Sequence, residues 1–186
     1  MHQKPIESGW VEVICGSMFC GKTEELLRRL RRARIANLNV IAFKPKIDDR
    51  YSKNEIVSHD KNSLNSIAIE DEKALLDLGS KYDVVGIDEA QFFSNKLVST
   101  CKELANNKTR VIIAGLDTDY RGLPFGPMPL IMCDSDYLEK LTAICMQCGK
   151  DATYTQRITE QTKRIVIGET DTYEARCRNC FNPSGK

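Results

Sequence analysis

The stretch GSMFCGKT, residues 16–23, constrains the fold more than any other part of the sequence. It has the form G-x-x-x-x-G-K-[ST], the pattern of a loop that cradles nucleotide phosphates, with a strand before it and a helix after it. Residues 10–15, WVEVIC, are mostly strand formers. Residues 22–36 place leucine and alanine side chains on one helical face. The sequence therefore predicts a strand, a phosphate loop and a helix in succession.

Each fixed position of this loop has a chemical reason. Gly16 and Gly21 let the backbone turn tightly, and backbone N–H groups at the helix start bind the anion. Lys22 neutralises β- and γ-phosphate oxygens, and Thr23 offers its hydroxyl to Mg²⁺. We predict that the whole loop contacts ATP and Mg²⁺, through Gly16, Ser17, Met18, Phe19, Cys20, Gly21, Lys22 and Thr23.

Strands and helices alternate through most of the chain. Strands are also predicted at Asn39–Phe43, Val84–Ile87 and Arg110–Gly115, and helices at Asp71–Leu78 and Ser94–Asn106. The strand runs are almost wholly apolar, which is typical of a parallel sheet covered on both faces. From Leu141 onward the pattern changes to short β-rich pieces. We therefore predict an α/β fold with two domains. They are a P-loop parallel sheet flanked by helices in residues 1–140, and a small C-terminal zinc-ribbon-like β domain in residues 141–186.

The stretch VVGIDEAQFF, residues 84–93, ends an apolar strand in acidic residues. Asp88 at the carboxyl end of a strand can reach Mg²⁺ beside the phosphate loop, as in a Walker B element. Glu89 follows and can take a proton from an attacking hydroxyl or water. A pair of surface acids is the alternative, and the apolar strand argues against it. The predicted ATP and Mg²⁺ contacts are thus completed by Asp88, Glu89, Ala90 and Gln91.

Four of the eight cysteines form two C-x2-C pairs separated by 28 residues. Such a spacing suits four thiolates arranged tetrahedrally around Zn²⁺. Disulfides and a rubredoxin-like iron site are the alternatives, and zinc is favoured because nothing points to secretion. Four protein ligands leave no open coordination position, so the metal is expected to be structural. The predicted ligands are Cys145, Cys148, Cys177 and Cys180.

Two classes of function fit these motifs. One is a small kinase that passes the γ-phosphate to a hydroxyl; the other is a P-loop ATPase or GTPase whose zinc ribbon binds nucleic acid. The sequence lacks N-K-x-D and LSGGQ-type motifs and a basic stripe, which argues against the second class. Arg50, in the loop KPKIDDRYS, is either a clamp on the transferring phosphoryl group or an ordinary exposed arginine, and the residues alone do not decide.

Charge and hydropathy exclude other partners. The net charge is +1, which gives no general attraction to nucleic acid or to a membrane surface. No apolar run approaches the length of a membrane span, and residues 1–9 lack the apolar core of a signal peptide. We expect a cytoplasmic protein that binds neither nucleic acid nor membrane.

A resemblance to a known family rests on motifs spread along the chain. They are GSMFCGKT, DDRYS, SHD, DEAQFF, GLDTDYRGLPFG, LTAICMQC, ATYTQR and YEARCRNC. In these stretches the chain resembles the zinc-containing, cytosolic-type thymidine kinases. One departure is Cys20, where that family more often has serine or another small residue.

The resemblance implies a reaction and a set of roles. ATP and thymidine are the substrates, Glu89 is the general base for the 5′-hydroxyl of thymidine, and Arg50 stabilises the transferring phosphate. The family is typically homotetrameric, is inhibited by dTTP and serves DNA precursor salvage. Deoxyuridine should also be accepted, since one methyl group discriminates by only ~1–3 kcal/mol. Met18, Phe92, Leu116 and Tyr120 match positions that wall the thymine pocket, and Thr155, Val166 and Tyr173 match contacts of a loop that covers the nucleoside.

That covering loop lies between the two cysteine pairs, in residues 149–176. We expect zinc to fix the two ends of the covering loop, whereas the phosphate loop is expected not to depend on the metal. Loss of zinc is therefore predicted to weaken nucleoside binding more than ATP binding.

Overall fold

A six-stranded, wholly parallel sheet forms the centre of the molecule. The computed structural model describes residues 8–46, 55–57, 63–159 and 171–183. The strand order is β5-β2-β6-β7-β1-β8, and every neighbouring pair runs parallel. Its strands are β1 (Trp10–Gly16), β2 (Val40–Pro45), β5 (Ile67–Ile69), β6 (Val84–Ile87), β7 (Arg110–Gly115) and β8 (Tyr137–Leu141).

Helices cover both faces of this sheet. The helices are α1 (Lys22–Ile35), α2 (Glu72–Gly79), α3 (Lys96–Asn106) and α4 (Met128–Asp134), with a 3-10 turn at Ala90–Phe92. Side chains alternate between the faces along each strand. Ile14 and Ile112 pack on one face with Leu26, Leu27 and Leu30 of α1. The opposite face carries Val13, Ile87 and Ile113 against α2, α3 and α4, through Leu75, Leu97, Leu104, Met128 and Ile131.

Short antiparallel pairs make up the rest. The strands β3 (Glu55–Val57) and β4 (Ser63–Asn65) form one pair. The pairs β9 (Ala143–Ile144) with β10 (Asp151–Ala152), and β11 (Tyr154–Arg157) with β12 (Tyr173–Arg176), follow the sheet. We call residues 143–159 and 171–183 the cysteine module. Its buried centre consists of small side chains, Ala143, Cys145, Ala152, Ala175 and Cys177.

The predicted α/β class and the parallel sheet flanked by helices are confirmed. The helix predicted at Asp71–Leu78 begins at Glu72 because Asp71 caps it, its carboxylate accepting from Ala74 N at 2.8 Å. The helix predicted from Ser94 begins at Lys96. Three elements of the main fold, β5, β8 and α4, were not predicted from the sequence. Strand β8 ends at Leu141, one residue past the predicted domain boundary.

No helix in the described ranges combines the length and the apolar content that a membrane span requires.

Candidate active site

The predicted phosphate loop and the predicted acidic residues lie at the carboxyl edge of the sheet. Strand β7 lies between β1 and β6, and all three run parallel. The phosphate loop therefore emerges beside the end of β7, and Asp88 emerges on the other side of it. Ligands of open parallel α/β sheets bind in the crevice at this edge.

The phosphate loop makes the tight turns that its glycines predict. Gly16 and Gly21 have φ values of 141° and 83°, and Phe19 between them has a φ of 65°. Lys22 Nζ donates to the Ser17 carbonyl oxygen at 2.6 Å, so its ammonium lies back across the loop. Gly21 has no side chain to cap α1, which leaves first-turn N–H groups for a bound anion. The loop is thus shaped to hold phosphate.

Asp88 and Thr23 meet as the motifs predict. The Thr23 hydroxyl donates to Asp88 Oδ2 at 3.2 Å, and Asp88 Oδ1 accepts from the backbone N–H of Glu89 at 2.9 Å. The Asp88 side chain is buried. A hydroxyl and a carboxylate at this separation suit Mg²⁺, a hard cation that prefers oxygen ligands and is shared with substrate phosphates. Thr23 and Asp88 therefore fit the metal.

Glu89 sits in an unusual backbone conformation, with φ 52° and ψ 40°. Non-glycine residues rarely adopt this left-handed region, and they cluster at functional sites when they do. The Gln91 side-chain amide donates to Glu89 Oε2, and Gln91 Oε1 accepts from Leu116 N at 3.0 Å. Gln91 itself is buried, and Ala90 belongs to the hydrophobic core. Gln91 thus orients the carboxylate from inside the protein.

The predicted nucleoside contacts come from both parts of the fold. Met18 N donates to the Thr155 hydroxyl at 3.0 Å, which joins the phosphate loop to β11. Phe92 packs edge-on against Phe125, with ring centroids 5.7 Å apart. Phe125 was not predicted, although it lies within the motif GLDTDYRGLPFG. Arg50, the SHD motif and Val166 lie outside the described residues.

Tyr120 and Tyr173 are brought together by a residue that was also not predicted. The guanidinium carbon of Arg157 lies 3.6 Å from the Tyr120 ring centroid and 5.3 Å from that of Tyr173. Its only sequence signal is a place in the motif ATYTQR.

Asp117 is a further acidic residue at the carboxyl edge of the sheet. It follows β7 by two residues, is 5% exposed and pairs with Lys140 Nζ at 2.5 Å. Its Oδ1 atom is buried without a hydrogen-bond partner in the part of the chain described. Burial, reinforced by the Asp117 charge, raises the pKa of the Cys15 thiol to about 11. Cys15 is therefore an inert core residue at neutral pH.

The four predicted zinc ligands converge. Their sulfur atoms all lie within 4.8 Å of one another, and Cys148 Sγ is 3.6 Å from Cys177 Sγ. Tetrahedral zinc with ~2.3 Å Zn–S bonds needs sulfurs roughly 3.8 Å apart. All four cysteines are free of disulfides. The cluster therefore fits a structural zinc ion.

The thiol chemistry agrees with a cation at this place. Burial alone would raise the pKa of Cys145, but N–H groups of Cys177, Gln147 and Cys148 hold it at about 6. Hydrogen bonds with the neighbouring thiols of Cys177 and Cys148 raise the pKa of Cys180 to about 12. Four crowded thiols cannot all ionise by themselves, and a bound divalent cation removes that conflict.

The phosphate loop was expected to be independent of the metal, yet it contacts the cysteine module directly. Phe19 and Cys20 pack against the buried centre of the cysteine module, which includes Cys145 and Cys177. The Ser17 hydroxyl also donates to the Ala152 carbonyl at 3.4 Å. The module therefore supports the phosphate loop directly, through small side chains whose contacts no sequence pattern predicts.

Known proteins match the chain along nearly its whole length. The thymidine kinase family profile matches residues 9–181. A thymidine kinase of Rhodothermus sp. is 55% identical over 175 residues, covering 94% of this chain and 82% of its own. One of Bacteroides fragilis is 51% identical over 179 residues, covering 96% and 90%. The crystal structure of the flagellar accessory protein FlaH of Methanocaldococcus jannaschii is similar in fold alone, with a TM-score of 0.53 at 14% identity, covering 77% of this chain and 75% of FlaH.

Proposed function

The chain belongs to the thymidine kinase family, and we propose that it transfers the γ-phosphate of ATP to the 5′-hydroxyl of thymidine, giving dTMP and ADP. It is a transferase, and its relatives argue against the alternative, a P-loop ATPase whose zinc ribbon binds nucleic acid. Deoxyuridine is proposed as a second acceptor.

One observation carries the chemistry: partly buried Glu89 directly follows Asp88 of the Thr23–Asp88 pair, and its backbone N–H donates to Asp88 Oδ1. In the proposed step Glu89 takes the proton from the 5′-hydroxyl while that oxygen attacks the γ-phosphorus. The bond from the γ-phosphorus to the bridging oxygen of ADP breaks, and ADP leaves with the bonding electrons. Gln91 holds Glu89 Oε2, which fixes the carboxylate that receives the proton.

The phosphates are held by the loop and its cations. Lys22 and the N–H groups at the start of α1 bind the β- and γ-phosphates. We propose that Thr23 and Asp88 hold Mg²⁺, which when bound neutralises charge on the phosphate oxygens. Arg50 is proposed as the further cation on the transferring group.

The nucleoside occupies the seam between the sheet edge and the cysteine module. Met18, Phe92, Leu116 and Tyr120 are proposed to wall the thymine, with Thr155, Val166 and Tyr173 as contacts from the module. Support comes from the Met18–Thr155 hydrogen bond, which already closes part of this seam. We assign residues 1–140 to the kinase domain and residues 141–186 to the domain that the zinc ion stabilises.

The proposals on regulation and assembly rest on the resemblance to the family. We propose a cytoplasmic homotetramer that supplies DNA precursors by salvage and is inhibited by dTTP, its end product. Competition between dTTP and thymidine in initial-rate kinetics tests the inhibition.

The test of the proposed reaction is transfer of label from γ-³²P-ATP to a panel of nucleosides. We expect labelled dTMP and dUMP, and no stimulation of ATP hydrolysis by single-stranded DNA. ATP hydrolysis that rises with single-stranded DNA, without phosphorylation of any nucleoside, would instead support the nucleic-acid-binding ATPase.

A further inference from the structure

Arg157 occupies a buried position at the junction of the two parts of the fold. It ends β11 and lies opposite Tyr173 of β12 in the antiparallel register. Only 5% of its surface is exposed. Two residues earlier on β11, the Thr155 hydroxyl accepts from the phosphate loop at Met18 N. Arg157 therefore lies close to the place where the cysteine module meets the catalytic edge.

Two tyrosines from different parts of the fold contact this guanidinium. Tyr120 follows β7 on the catalytic edge, and its ring lies face-on to Arg157 at 3.6 Å. Tyr173 lies on the cysteine module, and its hydroxyl accepts from Arg157 Nη2 at 2.8 Å. Because a guanidinium has no acceptor, this bond directs the Tyr173 hydroxyl proton away from Arg157. One planar cation thus fixes a ring and a hydroxyl at once.

Arginine suits this place better than lysine does. A guanidinium can stack on a ring and donate in its own plane, whereas an ammonium is a compact point charge. Cation–π attraction is also stronger when the pair is shielded from water, as it is here. The same ring has a second cation, Arg121, at 5.7 Å, but the Arg121 side chain is 42% exposed. Arg157 is therefore the stronger partner of Tyr120.

We propose that Arg157 is a positioning residue that holds Tyr120 and Tyr173 in place as the two sides of the nucleoside site. It acts through these tyrosines and is assigned no contact with the phosphates. The proposal rests on the proposed function, since it concerns how thymidine is bound. It implies that Arg157 controls the KM for thymidine and leaves the KM for ATP nearly unchanged.

Steady-state kinetics of the full chain test this proposal with Arg157→Met, Arg157→Lys and the matched control Arg121→Met. Arg157→Met is expected to raise the KM for thymidine about tenfold, with zinc content and the KM for ATP near those of the wild type. The KM for thymidine of Arg157→Lys should lie between those of the wild type and Arg157→Met, because lysine keeps the charge but has no planar group to stack on the ring. Arg121→Met should stay within about twofold of the wild type.

Coupling to Tyr173 separates positioning from general damage to the fold. Tyr173→Phe removes the hydroxyl that accepts from Arg157. Arg157→Lys should therefore raise the KM for thymidine less in the Tyr173→Phe background than in the wild-type background. An equal rise in the KM for thymidine in both backgrounds would overturn the proposal. So would an unchanged KM for thymidine in a folded Arg157→Met protein, or an equal rise in the KM values of ATP and thymidine. If Arg157→Met does not fold, the Lys and Phe variants still decide. A wild-type protein that does not phosphorylate thymidine would instead reject the proposed function.

Discussion

At the scale of single residues, the two carboxylates of the site are held in different ways. Asp88 is hydrogen-bonded to the Thr23 hydroxyl, which the motifs place beside it, and to the Glu89 N–H. Glu89 is held by a left-handed backbone and by the buried Gln91 amide. The sequence predicts Glu89 as a base, but it does not predict how Gln91 orients it. The sequence places Gln91 only among the ATP and Mg²⁺ contacts, and its partner Leu116 lies 25 residues away.

The first prediction concerns Glu89. Glu89→Gln should lower kcat by ~10²–10⁴-fold, because the amide cannot accept the 5′-hydroxyl proton. Thymidine affinity, measured by calorimetric titration, should change little. A variant with near-normal kcat would show that Glu89 is not the base.

A third carboxylate, Glu12, contributes to the stability of the fold. It is buried on β1 and bonds Arg110 of β7 at 2.6 Å and Arg29 of α1 at 2.7 Å. Burial raises the pKa of the Glu12 carboxyl, but hydrogen bonds from Arg110, Trp10 and Arg29 outweigh it and leave the pKa below its ordinary value. The unfolded chain therefore binds the proton more readily, so this contribution to stability is present at neutral pH and is lost as pH falls through the folded pKa.

The second prediction follows from the lowered pKa of Glu12. Glu12→Gln should lower the free energy of unfolding by about 3 kcal/mol at pH 7, since it removes a buried charge that pairs with the partly buried guanidinium groups of Arg29 and Arg110. It should also weaken the dependence of stability on pH below about 5. Glu139→Gln is the matched control, because Glu139 pairs with the same Arg29 but is 48% exposed; it should cost less than about 1 kcal/mol. Urea unfolding at several pH values measures the free energy of unfolding of both variants. Equal losses for Glu12→Gln and Glu139→Gln would contradict the stabilising role assigned to Glu12.

At the scale of elements, the sequence predicts those whose pattern and environment agree. The apolar runs of β1, β6 and β7 are buried, and α1 buries the face that its leucines mark. Strand β8 was missed because Tyr137–Leu141 is mostly exposed at the sheet edge, and its mixture of charged and apolar residues gives no continuous apolar run. Strand β5 has only three residues. Helix α4 was missed because Pro127 and Pro129 resemble a turn, although proline is well tolerated in the first helical turn.

The third prediction concerns the turn from β1 into the phosphate loop. A Cβ at Gly16 would lie 2.4 Å from the Leu141 carbonyl oxygen and 2.9 Å from Cys20 Sγ, at a φ of 141°. Gly16→Ala should therefore displace the loop and raise the Kd for ATP at least about tenfold, or ~1.4 kcal/mol. Fluorescence titration with an ATP analogue measures this.

Gly149→Ala controls for backbone strain in that experiment. Gly149 also has a positive φ, 73°, but a Cβ there would meet nothing within 4 Å. It should cost only the strain of a left-handed residue, roughly 1–2 kcal/mol of stability, and leave ATP binding unchanged. A similar loss of ATP affinity in both variants would show that strain, not the collision with Leu141 and Cys20, is responsible.

At the scale of the whole molecule, the proposed site lies where the carboxyl edge of the sheet meets the cysteine module. The cysteine spacing predicts the zinc cluster, since each C-x2-C pair is local and only four ligands are needed. It does not predict that the module packs on Phe19 and Cys20, because that contact uses alanine and cysteine side chains without any periodic pattern. A zinc ion in this cluster would therefore lie next to the phosphate loop and in the same module as the proposed nucleoside contacts Thr155 and Tyr173.

The shared seam is tested most directly by Cys177→Ser, assayed for zinc content, folding, ATP and thymidine binding, and phosphate transfer. Circular dichroism identifies the folded protein, since loss of a structural zinc can unfold a small domain. We predict less than one equivalent of zinc, weaker binding of both ligands with the larger loss for thymidine, and loss of transfer to thymidine. Cys177→Ser protein that is folded, free of zinc and still phosphorylates thymidine at the wild-type rate would contradict a site that is built jointly by the sheet edge and the cysteine module.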